Sequence, residues 1–270
     1  MLSHSPAGKG ATIASISAVS DIHGHLEALH AALDIVDLEG NPDASLVLLG
    51  DYVDRGRDSR GVLELVREVA QRHPDRVTVL LGNHDCGLLE WLDAGDPADT
   101  DDEDPTWILS DEGLTTVRSF VSESVIRTVV HDEIDAEVSM RLRREVLKQH
   151  AELFSWLRRR PRVHETEGQI FVHAGIDELA GEHWRAATPE HWLTEKCPAS
   201  QGRFHKTIIA GHVRTAELHA DGDNAVYHDG PSHYYIDAAV EVTGKLNVLR
   251  YDVESDMYSW QMTPVPAARR

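Results

Sequence analysis

Five short segments, each placed after an apolar run, bring together carboxylate, imidazole and amide side chains. In chain order they are Asp21-Ile-His23-Gly, Gly50-Asp51-Tyr-Val-Asp54-Arg55-Gly, Gly82-Asn83-His84-Asp85, His173-Ala-Gly175 and Gly211-His212-Val. Oxygen and imidazole ligands without thiolates suit divalent cations, and two such cations sharing one ligand can promote attack on a phosphate ester. The residue types therefore predict a dinuclear metal site that hydrolyses phosphate esters.

The elements that must position the first three segments alternate in type. Apolar runs typical of strands alternate with amphipathic helical spacing, in the order 12–19, 26–36, 45–49, 62–69 and 77–81. This order predicts a parallel sheet with helices on both faces and right-handed crossovers. Ligands collect outside the carboxyl ends of parallel strands, so we expect Asp21, Asp51 and Asn83 to converge. Gly50 and Gly82 are expected to let the chain turn sharply out of its strands.

The middle of the chain interrupts this alternation. Residues 96–104 form an acidic run that is expected to be a solvated loop, and the spacing predicts helices over 107–121 and 134–157. We expect 96–160 to form a helical, cap-like insert within a single domain of residues 1–270. The small and polar residues 1–11 are expected to be flexible.

The last third of the chain returns to strands. Strand-like runs occupy 170–172, 207–210, 233–237, 246–251 and 257–262. Because no periodic helix separates these runs, we expect antiparallel pairing in a second sheet packed on the first.

In this order, the five segments resemble the calcineurin-like metallophosphoesterase superfamily. The forms Gly-Asp-Tyr-Val-Asp-Arg-Gly and Gly-Asn-His-Asp are similar to its phosphoprotein-phosphatase branch, which includes bacterial serine/threonine protein phosphatases. The resemblance covers about residues 16–90 and 168–250. It implies an α/β fold, the layered α/β/β/α sandwich, here with a helical insert. It also implies two groups of metal ligands that share one bridging carboxylate: Asp21 and His23, the bridging Asp51, and Asn83, His173 and His212.

The same resemblance implies roles for three neighbouring residues. His84 is the expected general acid for the leaving group, Asp54 holds its imidazole, and Arg55 clamps the phosphate oxygens. The last motif, Gly211-His212-Val213-Arg214, lacks the second histidine of many superfamily members, as the phosphatase branch also does.

One departure concerns the second phosphate-binding arginine. Bacterial relatives place it in a Trp-x-Arg-Glu motif, whereas this chain has Trp192-Leu193-Thr194-Glu195. The candidates to replace it are Arg214, which is nearest a ligand, and Arg185 and Arg203.

Composition limits the partners and the compartment. The 26 Lys+Arg against 46 Asp+Glu give a net charge of −20, which argues against nucleic acid or an anionic membrane as the main partner. Two cysteines cannot form a disulfide framework and no apolar signal or membrane-spanning run is evident, so we expect a cytoplasmic protein.

The leading functional hypothesis is a metal-dependent phosphoesterase that cleaves phosphomonoesters on peptides or small molecules through a metal-bridging hydroxide. Mn²⁺ is the first expectation for the two ions, with Fe or Zn²⁺ as alternatives. The enzymatic alternative is a symmetrical dinucleoside polyphosphate (diadenosine tetraphosphate) hydrolase, a class that shares Gly-Asn-His-Asp and His-Ala-Gly. The order Asp54-Arg55 favours the protein-phosphatase form, because those hydrolases often have asparagine before the arginine. A metal-binding interaction module without activity is disfavoured, because no ligand or acid is missing.

Overall fold

Two five-stranded sheets, packed face to face, form the centre of the molecule. The computed structural model describes residues 13–95, 106–130 and 134–265. The residues predicted to be flexible, 1–11, and the acidic run 96–104 lie outside these ranges.

The first half of the chain builds alternating strands and helices, followed by a run of helices. The elements are β1 (Ser15–Val19), α1 (Leu26–Val36), β2 (Ala44–Leu48), α2 (Ser59–Arg72), β3 (Val77–Val79), α3 (Asn83–Asp93), a 3-10 helix (Thr106–Leu109), α4 (Asp111–Phe120), α5 (Glu123–Val129) and α6 (Ala136–Leu157).

The second half contains the remaining strands and several short helices. They are β4 (Val163–Glu165), β5 (Gln169–Val172), a 3-10 helix (Glu178–His183), α7 (Trp184–Ala187), α8 (Trp192–Glu195), β6 (Thr207–Arg214), α9 (Thr215–Leu218), β7 (Tyr227–His228), β8 (His233–Asp237), α10 (Val240–Thr243), β9 (Asn247–Asp252) and β10 (Met257–Met262).

The first sheet has the strand order β10-β9-β1-β2-β3. The predicted parallel pairing of β1, β2 and β3 is confirmed, with Ser15 opposite Ala44 and Leu46 opposite Val77. The late strands β9 and β10 were expected in the second sheet, and this prediction is wrong. β9 pairs antiparallel with β1, which covers the edge that β1 would otherwise expose.

The second sheet has the order β4-β5-β6-β8-β7. Its central strands β5, β6 and β8 are parallel, so the predicted antiparallel pairing is wrong for them. A parallel pair needs a crossover of a dozen or more residues, and the segments after β5 and β6 supply it through α7, α8 and α9. Helices of four residues leave no periodic pattern, and this hid the crossovers from the sequence.

The insert is helical, but its boundaries differ from those predicted. The helix expected over 107–121 is a 3-10 helix followed by α4, because the Ser110 side chain accepts the Gly113 N–H at 2.9 Å and begins a new helix there. α5 was not predicted, whereas α6 matches the expected 134–157 closely. These helices pack against α2 and α3 and thicken the helical layer beside the first sheet.

Alternate residues of the first sheet face different layers. Ala18, Val47 and Leu49 contact Phe171 and Ile209 of the second sheet, while Val19, Leu46 and Leu48 face the helices. The expectation of helices on both faces of the first sheet is therefore corrected, because one face packs on the second sheet. Among the described residues, no helix combines the length and apolarity needed to span a bilayer.

Candidate active site

The site lies where the carboxyl ends of the parallel strands of both sheets meet. Asp21, Asp51 and Asn83 follow β1, β2 and β3, His173 follows β5, and His212 lies near the end of β6. The backbone N–H of His212 donates to the side-chain oxygen Oδ2 of Asp21 at 3.1 Å, which joins the two sheets at this edge. All six residues predicted as metal ligands are brought together here.

Asp51 is at the centre of the cluster. Its Oδ2 lies 3.6 Å from Nε2 of His23 and 3.4 Å from Nε2 of His173. Two groups of potential ligands, Asp21–Asp51–His173 and His23–Asp51–His84, share this carboxylate. Asp51 is therefore the residue whose position allows it to bridge two ions.

The histidines present lone pairs to this carboxylate. Nδ1 of His23 donates to the Val53 carbonyl at 2.8 Å, and Nδ1 of His173 donates to the Leu49 carbonyl at 3.0 Å. In the neutral imidazole the other nitrogen, Nε2, is then an acceptor. Acceptors that face a carboxylate at these distances repel each other unless a cation lies between them. The donor set therefore fits a divalent metal centre.

Asn83 extends the donor set towards the second sheet. Its Oδ1 lies 3.0 Å from Nε2 of His173 and 3.1 Å from Nδ1 of His212. Asn83 is also the first residue of α3, where backbone N–H groups point outward, and the N–H of His84 donates to Asp51 Oδ1 at 3.0 Å. The start of α3 thus helps to orient the central carboxylate.

Burial and charge shift the pKa values of these groups in opposite directions. Burial alone would raise the pKa of Asp51, but the adjacent His173 and His23 outweigh it and lower this pKa. Burial opposes the charging of His173, yet Asp51 and Asp21 raise its pKa to about 9. Burial lowers the pKa of His23 and of His212. The charged form of Asp51 and a positive charge beside it, at His173, therefore stabilise each other.

His84, Asp54 and Arg55 form a second cluster beside the first. Nδ1 of His84 donates to Asp54 Oδ2 at 2.8 Å, and Arg55 Nη2 lies 3.1 Å from Nε2 of His84. Burial would lower the pKa of His84, but Asp54 and Asp51 raise it overall. His84 Nε2 is also 4.0 Å from Asp51 Oδ2, so the geometry alone allows His84 to be a ligand as well as an acid.

Arg55 lies directly over the potential ligands. Its Nη1 is 2.9 Å from Nε2 of His23 and 3.5 Å from Glu241 Oε1, and its Nε is 3.7 Å from Glu112 Oε1. A cation bound to the His23 nitrogen would occupy the direction from which Arg55 now approaches. Loading of that position therefore requires the guanidinium to move.

Backbone strain is concentrated at the site. Six of the nine non-glycine residues with positive φ in the described ranges are Asp21, His23, Asp51, Asp54, Arg55 and His212. Such left-handed conformations cost roughly 1–2 kcal/mol for an L-residue. Gly50 has φ +108, and a Cβ there would collide with the Gly82 backbone, which agrees with the expected sharp turn. The fold sustains this strain where the ligand side chains must converge.

The sequence did not identify Asp85 as part of the site. Its buried carboxylate accepts N–H groups from Asp51 at 2.8 Å, Tyr52 at 3.0 Å and Gly82 at 3.0 Å. Burial and the charge of Asp51 raise the pKa of Asp85 to about 7. Asp85 thereby connects the turns that follow β2 and β3. Its position at the end of Gly82-Asn83-His84-Asp85 was the feature of the sequence that could have identified it.

Trp107 and Thr116, from the insert, were also missed. Trp107 Nε1 donates to Asp54 Oδ2 at 2.9 Å, and Thr116 Oγ1 donates to Asp54 Oδ1 at 2.7 Å. No motif marks these two residues, because their contact with Asp54 depends on how the insert packs.

The three arginines proposed for the second phosphate contact occupy different places. Arg214 pairs with Glu241 Oε1 at 2.5 Å, the same atom that faces Arg55. Arg185 pairs with Glu165 of β4 and covers the Trp184 ring. Arg203 lines a cavity of about 330 Å³ together with His233, away from the central cluster. The structure therefore links only Arg214, among these three described arginines, to Arg55 through a shared partner.

Comparisons with known proteins agree with this arrangement. The profile of the calcineurin-like phosphoesterase family matches residues 14–241. The chain is 38% identical over 71 residues to a protein phosphatase 2A catalytic subunit from Dictyostelium discoideum, covering 26% of this chain and 22% of that protein. It is 29% identical over 163 residues to a symmetrical bis(5'-nucleosyl)-tetraphosphatase of Nitrosospira multiformis, covering 60% of this chain and 44% of that protein. The chain thus matches less than half of the length of these relatives.

A solved structure shows the same fold. The cold-active protein-tyrosine phosphatase of a psychrophilic Shewanella species superposes with a TM-score of 0.51 at 15% identity, over 95% of this chain and 83% of that chain. The predicted layered sandwich is confirmed by this similarity and by the two sheets flanked by helices. Because the family profile spans most of the sequence, this chain belongs to the calcineurin-like phosphoesterase family.

Proposed function

We propose that this protein is a metal-dependent phosphomonoesterase of the serine/threonine protein-phosphatase type, acting on phosphorylated peptides or small phosphate esters. The observation that carries the proposal is the position of Asp51, which is shared by two groups of ligands and lies beside the Asp54–His84 pair. When bound, two divalent ions supply Lewis acidity and activate water.

The ligand roles follow from the donor set. Asp21 and His23 would hold one ion, Asp51 would contact both, and the other ion would be held by Asn83, His173 and His212. Several oxygen donors beside imidazoles, without a thiolate, suit Mn²⁺ first, with Fe or Zn²⁺ as alternatives.

His84 is proposed to protonate the leaving oxygen. Asp54 accepts the Nδ1 proton of His84, so Nε2 is the nitrogen that would carry the transferable proton. Burial would lower the pKa of His84, but its hydrogen bond to Asp54 raises it. A general acid in this position typically contributes about 10²–10⁴-fold to the rate.

Arg55 is proposed to bind the phosphate. Arg55 lies beside both potential ligand histidines, with Nη1 2.9 Å from Nε2 of His23 and Nη2 3.1 Å from Nε2 of His84. Its guanidinium fork matches phosphate geometry, and a phosphate bound here would take over these donors. The net charge of −20 disfavours long polyanions, so we propose phosphate monoesters over nucleic acid as substrates.

A dinucleoside polyphosphate hydrolase is the second candidate. The similarity to the Nitrosospira tetraphosphatase extends over 163 residues, more than twice the span shared with the Dictyostelium phosphatase. This longer similarity is the observation that keeps the candidate open.

A substrate panel separates the two candidates. Phosphopeptides, small phosphomonoesters and diadenosine tetraphosphate would be compared at one fixed Mn²⁺ concentration, with Asp51→Asn prepared in parallel as the control for contaminating phosphatases. We expect the highest kcat/KM for phosphomonoesters, and loss of this activity in the variant. Much faster turnover of diadenosine tetraphosphate would replace the first candidate with the second. Turnover that persists in Asp51→Asn would reject both.

A further inference from the structure

The carboxylate of Asp54 is fixed by more than its contact with His84. Its Oδ2 accepts the Nδ1 proton of His84 at 2.8 Å and the indole N–H of Trp107 at 2.9 Å. Its Oδ1 accepts the hydroxyl proton of Thr116 at 2.7 Å. Three donors that approach from three elements leave the carboxylate one orientation.

Thr116 holds both ends of the same aspartate. Its Oγ1 donates to the carboxylate and accepts the backbone N–H of Asp54 at 2.9 Å, while Ser59 Oγ lies 3.0 Å away as a further donor to Thr116. Asp54 has φ +70, in the left-handed region that is uncommon for residues other than glycine, and Thr116 is fully buried. The Thr116 hydroxyl therefore holds both the backbone and the carboxylate of Asp54 in this uncommon conformation.

Trp107 is itself fixed in place. Its ring packs against Trp91 of α3 with centroids 5.4 Å apart, and it lies over Gly87, where a Cβ would approach the indole to 3.3 Å. The indole N–H thus reaches Asp54 from a packed aromatic pair.

We propose that Trp107 and Thr116 are positioning residues, which orient Asp54 and through it the imidazole of His84. The catalytic consequence rests on the proposed function, in which His84 protonates the leaving group. Without these donors the Asp54 carboxylate can rotate, and the imidazole loses the alignment that proton transfer requires. The helical insert then helps to orient the general acid His84.

Conservative variants separate this role from packing. Trp107→Phe removes the indole N–H and keeps a ring, and Thr116→Val removes the hydroxyl at nearly constant volume, while Thr116→Ser restores a hydroxyl. Trp184→Phe is the matched control, because Trp184 is a buried tryptophan that packs on the second sheet and contacts neither Asp54 nor Trp107. Trp107→Phe decides the question if Thr116→Val does not fold.

The kinetic test compares leaving groups. In Trp107→Phe and Thr116→Val we expect kcat to fall about tenfold for an alkyl phosphate and less than about twofold for nitrophenyl phosphate, which leaves without protonation. Thr116→Ser should recover much of the loss, and Trp184→Phe should leave the ratio between the two substrates unchanged. In a His84→Asn background, Trp107→Phe should cause no further loss. Equal losses for both substrates, or additive losses with His84→Asn, would overturn the proposal.

A second measurement does not depend on turnover. The Nδ1–H resonance of His84 in ¹⁵N-labelled protein, assigned by its absence in His84→Asn, reports the hydrogen bond to Asp54. We expect this resonance to shift or to exchange faster with water in Trp107→Phe, and to be unchanged in Trp184→Phe. An unchanged resonance in Trp107→Phe would overturn the positioning role. If the wild-type protein hydrolysed no phosphoester, the proposed function would fail while this measurement still decided the positioning role.

Discussion

Nε2 of His173 lies 3.4 Å from Oδ2 of Asp51, and the other nitrogen of this imidazole already donates to a backbone carbonyl. The contact therefore needs a cation on the nitrogen, either a proton or a metal ion. The same oxygen of Asp51 lies 3.6 Å from Nε2 of His23. Because both groups of potential ligands include Asp51, metal binding at both positions should depend on the negative charge of this residue.

Neutralising the Asp51 carboxylate should weaken the binding of metal ions at the site. We expect two divalent ions per chain in the wild-type protein, and lower occupancy with loss of most activity in Asp51→Asn, because the ions lose the anion that screens their repulsion. Elemental analysis of protein loaded with Mn²⁺ measures the occupancy. Asp75→Asn makes the same change at an exposed position and should behave as wild type. Full occupancy with normal turnover in Asp51→Asn would contradict the assignment.

Replacing His84 should affect proton transfer and not metal binding. His84→Asn is expected to keep both ions and to lower kcat, with a smaller loss for nitrophenyl phosphate than for an alkyl phosphate. The reason is that a good leaving group departs as an anion and needs no acid. Parallel metal analysis and kinetics on the two substrates measure this. A loss of metal from the variant would instead make His84 a ligand, which its 4.0 Å distance to Asp51 also permits.

Arg214, which shares Glu241 with Arg55, should affect substrate binding. If Arg214 supplies the second phosphate contact, Arg214→Ala should raise KM and cost about 1–3 kcal/mol in kcat/KM, the range for losing a charge-assisted hydrogen bond. Arg250→Ala is the matched control, because Arg250 is an exposed residue of β9 and is not a candidate for this contact. Steady-state kinetics on one phosphomonoester provide the measurement. Unchanged kinetics in Arg214→Ala would exclude this arginine, and a raised KM in Arg185→Ala or Arg203→Ala would then identify its replacement.

The sequence predicted the ligand positions because a simple rule connects them to the fold. Side chains at the carboxyl ends of neighbouring parallel strands must meet, so Asp21, Asp51 and Asn83 converge although about thirty residues separate each from the next. The apolar runs that define those strands are strong signals in the chain itself.

What the sequence could not provide depends on packing between distant segments. The direction of β6 and β8 is set by crossovers built from four-residue helices, which have too few turns to show a period. The contacts of Trp107 and Thr116 with Asp54 arise from the way the insert packs on α2 and α3. Positive φ at Asp54 is equally invisible, since local preference assigns such conformations to glycine.

A buried charge cluster outside the metal site offers a test of stability. Glu178 contacts Lys196, and its Oε1 lies 3.6 Å from Nε2 of His233, whose Nδ1 donates to Asp229 at 2.9 Å. Burial alone would raise the pKa of Glu178, but the nearby imidazole of His233 and the ammonium group of Lys196 outweigh it and lower this pKa to about 2. The cluster joins the segment after β5 to the start of β8.

The lowered pKa of Glu178 fixes the pH window in which this cluster stabilises the fold. Because the pKa falls from 4.5 to about 2 on folding, the stabilisation is fully present above pH 4.5 and is lost as the pH falls towards 2. Glu178→Gln should therefore lower the free energy of unfolding at pH 7 by about 1.5–3 kcal/mol, the range for hydrogen bonds to a charged group. Urea unfolding of wild type and variant between pH 7 and pH 2.5 should show this difference shrinking below pH 4.5. Glu254→Gln, at an exposed position, is the control and should match wild type throughout. A difference that stays constant across the whole range would show that Glu178 stabilises the fold by packing and not by its charge.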